Sequence, residues 1–461
     1  MDQRPARRFG LDAAGKAALV SGIRKSAPSA RADAAGTPAP FNPALTDFRT
    51  LALYQQTRTQ RGTIEVLGIG NPFLREHGDR AGATTEIGGR KVVNFSSYDY
   101  LGLNQHEAVG AAAKAAIDTY GTSVSASRIV AGERPIHREL EKALAAVYEA
   151  EDAIVFVSGH ATNVSTIGTL MGRKDLVLYD ALSHNSIVVG AELSGATRRA
   201  FPHGDWSALE SMLSDSRSRF ERVLIVAEGL YSMDGDTPDL KRLVEIKRRW
   251  GAWLMVDEAH GLGVLGATGR GSAEQQGVEF ADVDIWMGTL SKSLAACGGY
   301  IAGKAELIEM LKHHAAGFVF SVGLSAPLAA AAVTALRLMQ AEPWRVTRLL
   351  ANGRRFLEKA QAAGLDTGHG EGYAVAPILI GDSLKAVTLS ERLLARGFNV
   401  LPIVFPAVPM QSARLRFFIS SEHTDEQIDS AVAATREEVD ALDQAGFSLE
   451  KLLAGLPPAK G

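Results

Sequence analysis

The chain has 461 residues, 46% of them hydrophobic, with a net charge of −3 and one cysteine, Cys297. So much apolar material supports a large core and excludes a wholly disordered chain, while the small net charge excludes a general polyanion binder, so no nucleic acid partner is expected. A single cysteine excludes disulfide frameworks and multi-cysteine metal sites; no metal is expected, and a reducing cytoplasm is.

The first 33 residues carry seven Lys or Arg against three Asp. The acids, and the lack of a clean amphipathic face, argue against a transit peptide and for a basic extension that docks a partner. Residues 26–46, rich in Ala, Pro and Ser, read as a linker. The expected organisation is an extension and linker over 1–60, an N-terminal segment over 61–105, a large domain over 106–325, a small domain over 326–450, and a tail over 451–461. In the large domain, short apolar runs alternate with helical stretches such as PDLKRLVEIKRRW (238–250). The runs are AIVFVSG (153–159), LVLYDA (176–181), VLIVAEG (223–229), WLMVDEAH (253–260) and DIWMGTLSK (284–292). This alternation predicts a mostly parallel sheet covered on both faces, with ligands at the carboxyl ends of its strands. An Ala-rich helix (326–340) follows, then mixed elements with AVAPILIG (374–381) and ARLRFFIS (413–420) as strands, a smaller α+β domain. No apolar run reaches the length of a membrane span, so none is expected.

Glu228, Asp257 and Lys292 each follow an apolar run about one βα unit apart, which predicts that they meet on one edge of the sheet. Asp257-Glu258-Ala259-His260 spells a helicase DEAH box. A helicase, however, needs a P-loop before it, and the one candidate, GGYIAGK (298–304), follows it and continues into Ala305 without a hydroxyl. Gly261, Gly263 and Gly266 spell a dinucleotide fingerprint, but the continuation ATGRGS is a poor helix on which to rest a pyrophosphate. The third reading starts at Lys292. A lysine at the end of a buried strand needs a partner or a covalent bond, and a Schiff base with an aldehyde cofactor supplies one. Pyridoxal phosphate needs a carboxylate at its ring nitrogen, and Asp257 is placed to be that group.

The motifs SGHATN (158–163), LSHNSI (182–187), EGLYSMDGD (228–236), VDEAHGLGVLGATGRG (256–271), GTLSKS (288–293) and ARLRF (413–417) fall in one order. Together with NFSSYDYLGL (94–103), the chain resembles the α-oxoamine synthases, which are fold-type-I, aspartate-aminotransferase-like pyridoxal phosphate enzymes. The resemblance implies roles residue by residue. Lys292 carries the cofactor and removes a proton from the substrate Cα. Asp257 pairs with the ring nitrogen, His260 reaches the phenolic oxygen with Ser232 nearby, and His184 stacks on the ring and serves the developing oxyanion. Thr289, Ser291 and the backbone of His160 and Ala161 surround the phosphate. Arg416 grips the amino acid carboxylate, and Tyr98 and Ser321 line the substrate side.

The implied activity is a decarboxylative condensation of a small amino acid with an acyl thioester, carried on CoA or a carrier protein, by a homodimer with shared active sites. Tyr98 stands where many members have Asn, which leans the substrate toward serine and a longer acyl chain. Glycine and alanine stay open, as does an aminotransferase or another pyridoxal phosphate enzyme of the same fold. Val322 stands where a hydroxyl from the neighbouring subunit is expected, and Ser replaces glycine in the thioester-side loop of YGTSVSASRIVAGERPIHRELE (120–141). The basic extension is long enough to recruit an acidic carrier protein.

Overall fold

The computed structural model describes residues 42–66, 70–409 and 411–447. The described residues form two compact units that divide at Gly62 and Thr63. The basic extension before residue 42, with its docking role, and the tail over 451–461 lie outside the described residues.

A hairpin of β1 (Thr84–Ile87) and β2 (Arg90–Asn94) precedes the main sheet. The main sheet holds β3 (Asp152–Phe156), β4 (Leu176–Asp180), β5 (Thr197–Phe201), β6 (Val223–Glu228), β7 (Trp253–Asp257), β8 (Ile285–Thr289) and β9 (Gly299–Gly303). Their order is β3-β9-β8-β7-β6-β4-β5, parallel except for β9, which runs against both neighbours. Alternate residues of the interior strands enter two separate cores. Val223, Ile225 and Ala227 join one, Leu224 and Val226 the other. A strand buried on both faces must be apolar throughout, which is why these runs show no alternation.

Two strands of this sheet depart from the sequence expectation. β9 is GYIAG, part of the stretch that resembles a defective P-loop. Its glycines serve close packing: a Cβ on Gly299 would come within 2.4 Å of Thr162 Oγ1, and one on the facing Gly288 within 2.2 Å of the Tyr300 ring. β5 carries the exposed Arg198 and Arg199 and pairs with β4 alone, so it is a charged edge strand with no apolar run to reveal it.

The remaining strands are β10 (Val375–Gly381), β11 (Phe398–Asn399), β12 (Leu401–Ile403) and β13 (Ala413–Phe418). β10, β13 and β12 form an antiparallel sheet, as expected for an α+β region. β11 pairs in parallel with β2, and Asn399 Nδ2 donates to Asn94 Oδ1 at 2.9 Å in the buried interior. The N-terminal hairpin is thereby completed by the C-terminal part of the chain. The Ala-rich helix, observed as Ala326–Ala341, packs on helices Glu107–Tyr120 and Pro135–Val147. Its alanines let the three helices approach closely.

Candidate active site

Strands β3, β4, β6, β7 and β8 all end at one edge, and the predicted residues hang from those ends and the segments that follow them, except Tyr98, Ser321 and Arg416, which come from elsewhere in the chain. Glu228 closes β6 in register with Asp257 at the end of β7. Asp257 is 4% exposed. Its Oδ1 accepts from the Ala259 N–H at 2.9 Å, and its Oδ2 accepts from Asn163 Nδ2 at 2.8 Å. Asn163 lies on the helix Gly159–Leu170, and its Nδ2 also donates to Ser186 Oγ at 2.9 Å.

That network fixes His184. Ser186 Oγ lies 2.7 Å from His184 Nδ1, and the Ser186 N–H donates to the same ring nitrogen at 3.3 Å. Nδ1 is therefore the acceptor, which puts the ring proton on Nε2. Burial lowers the pKa of His184, and Lys292 and His160 push the same way against Asp257. A neutral ring with an Nε2 donor is the result. The His184 N–H in turn donates to Glu228 Oε1 at 2.5 Å. Burial, reinforced by Asp257, raises the pKa of Glu228 well above the ordinary carboxylate range. His260 repeats the pattern. Its Nδ1 sits 2.7 Å from the Tyr100 hydroxyl, whose own pKa burial raises, so tyrosine keeps the proton and donates. Burial holds His260 well below its usual range.

Lys292 lies in the turn after β8 and makes no hydrogen bond or ion pair among the described residues. Its Nζ stands 5.8 Å from the centroid of the Tyr98 ring. Burial lowers its pKa to about 8, although Asp257 and Glu228 pull upward. A cavity of about 360 Å³ opens beside it, walled by Ser96, Tyr98, Asp99 and Ser291. In the first turn of Gly159–Leu170, Ser158 Oγ caps the Ala161 N–H at 3.4 Å, and the amides of Gly159 and His160 are among those a helix start leaves without an intrahelical partner. A Cβ on Gly159 would lie 3.1 Å from Thr289 Oγ1, so helix start and hydroxyl converge. The Ser291 N–H donates to Thr289 Oγ1 at 3.2 Å.

The two arginines of β13 behave differently. Arg414 is ion-paired to Asp234 at 2.7 Å. Arg416 donates through Nη1 to the Ser232 carbonyl at 2.9 Å, and its buried Nε has no partner among the described residues. It faces no carboxylate there, which leaves the guanidinium available to one. Ser321 sits in the turn after helix Ala316–Val319, and no described hydrogen bond or ring contact joins it to the Lys292 cluster.

Sequence reading assigned no role to Asn163, Glu228, Tyr100 or Glu258. Asn163 stands inside SGHATN, three residues past His160, on the helix face toward Asp257. Glu258 is fully buried and accepts from the Ser272 N–H at 2.8 Å and from the Ser272 hydroxyl. A Cβ on Gly229, Gly261 or Gly271 would come within 3 Å of its carboxylate. Of the three glycines in the false fingerprint, Gly261 packs on this acid, while Gly263 packs on Ser293 and Gly266 on Glu274.

A family model for class I and II aminotransferases matches residues 90–434. The chain is 43% identical over 392 residues to an 8-amino-7-oxononanoate synthase of Geobacter sulfurreducens, covering 85% of this chain and 95% of that one. The chain belongs to the α-oxoamine synthase family. Another such synthase, of Symbiobacterium thermophilum, is 40% identical over 76% of this chain and 88% of its own. Among solved structures, Sphingomonas wittichii serine palmitoyltransferase superposes with a TM-score of 0.82 at 31% identity, covering 86% of this chain and 99% of its own. The fold is that of the fold-type-I transferases, and the enzyme is a pyridoxal phosphate-dependent C-acyltransferase. The residues fit that cofactor. An unpaired, partly deprotonated amine meets an aldehyde, a buried carboxylate meets a ring nitrogen, and a helix start with two hydroxyls meets a phosphate. No helix among the described residues is long and apolar enough to cross a membrane.

Proposed function

We propose that this α-oxoamine synthase condenses L-alanine with an acyl thioester, releasing CO₂ and the thiol and leaving a 2-amino ketone. The product named by the curated relatives supports alanine: its amine-bearing carbon ends in a methyl group, the remnant of that amino acid. Serine is the second reading, supported by Tyr98 and by the likeness to serine palmitoyltransferase.

The observation that carries the substrate reading is the contrast between Arg414 and Arg416. One has its carboxylate in the protein; the other has a partly unsatisfied guanidinium beside Ser232 and Tyr98. An amino acid carboxylate completes Arg416 with the bidentate geometry that guanidinium prefers. Lys292 then takes the Cα proton. Its pKa of about 8 gives a useful neutral fraction near pH 7 and a conjugate acid able to return the proton. Bound pyridoxal phosphate supplies the electron sink that stabilises charge at Cα. Asp257, held by Asn163 and Ala259, presents its carboxylate to the ring nitrogen. His184 aims Nε2–H at the face where the thioester carbonyl gains charge, in the manner of an oxyanion donor. Thr289, Ser291 and the amides of Gly159 and His160 would hold the phosphate, the Ala161 N–H being already capped by Ser158 Oγ.

The enzyme is read as a homodimer. The exposed Val130, Phe320 and Val322, at 80%, 87% and 49%, support a covering subunit. Light scattering at micromolar concentration tests it, and a monomer mass sinks it. The substrate reading is tested by adding L-alanine, L-serine or glycine to the yellow holoenzyme, then a thioester, and following both absorbance and CO₂. Thioester-dependent CO₂ release fastest with alanine is expected. Release fastest with serine would replace the first reading by the second, and none with any amino acid would remove both.

A further inference from the structure

A second titratable cluster adjoins the site without touching it. His203 lies in the turn after β5, the edge strand that sequence reading missed. Its Nδ1 is 2.8 Å from Asp180 Oδ1 and its Nε2 is 2.8 Å from Asp236 Oδ2. Two carboxylates on two ring nitrogens require both to donate, so the ring is an imidazolium. Burial opposes that charge, but the hydrogen bonds of Asp180 and Asp236 outweigh it and raise the pKa to about 10. Asp180 is fully buried, and the Tyr231 ring packs edge-on against His203 at 4.6 Å.

Each carboxylate governs a different working loop. Asp180 ends β4, and its Oδ1 also accepts from the Leu182 N–H at 2.8 Å, which turns the chain toward His184. Asp236 closes the loop that follows β6, where the Tyr231 N–H donates to the Asp236 carbonyl at 2.9 Å and the Gly235 N–H to the Tyr231 carbonyl at 3.0 Å. That loop presents the Ser232 carbonyl to Arg416 and Asp234 to Arg414. One loop thus carries the oxyanion donor, and the other seats the carboxylate-binding arginine.

We propose that His203 is a positioning residue: a charged strap that fixes the distance between the His184 loop and the loop seating Arg416, and so sets the fit of the amino acid substrate. A neutral imidazole has a single N–H and can donate to only one of the two carboxylates. Without the strap, Asp180 and Asp236 face each other as like charges and the loops separate. The inference rests on the reading of Arg416 and His184 as the two walls of the amino acid site.

The test uses the cofactor-loaded enzyme and three variants, His203→Ala, His203→Gln and Asp236→Asn. Amino acid binding is read from the visible spectrum of the bound cofactor, turnover from CO₂ release, and stability from thermal melts. Loosening a substrate-positioning wall typically costs one to two orders of magnitude, so amino acid binding about tenfold weaker is expected in all three, with the cofactor spectrum retained. His203→Arg, whose fork bonds two carboxylates, is expected to restore most of the loss. Wild-type amino acid affinity in His203→Gln and Asp236→Asn overturns the proposal, and so does a fall in melting temperature with affinity unchanged. If His203→Ala does not fold, Asp236→Asn decides, because it leaves the Asp180 bond in place. Failure of the wild type itself to bind any amino acid would overturn the substrate reading instead.

Discussion

Asn163 Nδ2 donates to Asp257 Oδ2 at 2.8 Å, and the same nitrogen reaches Ser186, which orients His184. One side-chain amide thus ties the carboxylate for the cofactor ring to the histidine that faces the thioester. Its own Oδ1 is buried without a partner among the described residues.

Replacing Asn163 by Ala is expected to weaken cofactor affinity by about tenfold to a hundredfold, since a hydrogen bond to a charged group is worth about 1.5–3 kcal/mol. Apoenzyme titrated with pyridoxal phosphate and followed by absorbance measures it. Asn163→Asp is expected to be worse, because it sets a second carboxylate against Asp257. Unchanged affinity in both would remove Asn163 from the site.

Arg414 and Arg416 sit two residues apart on β13, and their variants are expected to fail differently. Arg416→Lys keeps the charge but loses the planar fork, so amino acid KM should rise by about tenfold or more with folding intact. Arg414→Ala leaves the buried Asp234 without its cation and should lower stability by about 3–5 kcal/mol, the range for breaking a buried pair. Steady-state kinetics and chemical denaturation separate the two. Equal KM effects from both would show that the ion pair does not divide their roles.

How much of this was legible follows from what kind of physics wrote each residue. Strands β3, β4, β6, β7 and β8 were readable because both faces are buried and the chain must be apolar. Asp257, Lys292 and His184 were readable because strand ends deliver side chains to one edge and because their motifs resemble a known family. β5 and β9 were not, since one is a charged edge and the other is glycine-rich for packing. Asn163, Tyr100 and Glu228 act by holding other residues, and only a fold shows what they hold. His203 was invisible for the same reason: its partners, Asp180 and Asp236, lie on either side of it in sequence, 23 and 33 residues away.

Lys292 makes a prediction about the apoenzyme. Its folded pKa of about 8 lies below the usual lysine value, so between pH 8 and the unfolded pKa the unfolded chain binds more protons. Stability contributed through this group therefore rises with pH across that window and is lowest below pH 8. Lys292→Met removes the penalty. The variant apoenzyme is expected to melt about 2 °C or more above wild type at pH 7, with the gap closing as pH rises through 10. It should also lack the visible absorbance of cofactor-loaded wild type. A gap that is constant with pH would mean that the lysine is not strained by burial.

Glu258 supplies the last test, in the opposite sense. Burial raises its pKa to about 7, although the Ser272 hydroxyl and N–H favour the charged form. With a folded pKa above the unfolded one, the folded chain binds more protons between about pH 4.5 and 7, so stability through this group falls as pH rises across that interval. Glu258→Gln keeps the shape and can still accept from Ser272, so it should stay within about 1 kcal/mol of wild type near pH 4.5 and be the more stable of the two at pH 8, where the wild type carries the buried charge. Its melting temperature should lose the part of the pH dependence that falls in that interval. Glu258→Ala is different, because the glycine loop closes around the carboxylate and nothing else fills the space. A loss of about 2–4 kcal/mol is expected, the cost of a core cavity together with unsatisfied Ser272 donors. Because His260 sits two residues along the same turn, the loss should carry over to cofactor affinity in the Ala variant and spare it in the Gln variant. Equal cofactor affinity in the two would mean that the loop holds its shape without the acid.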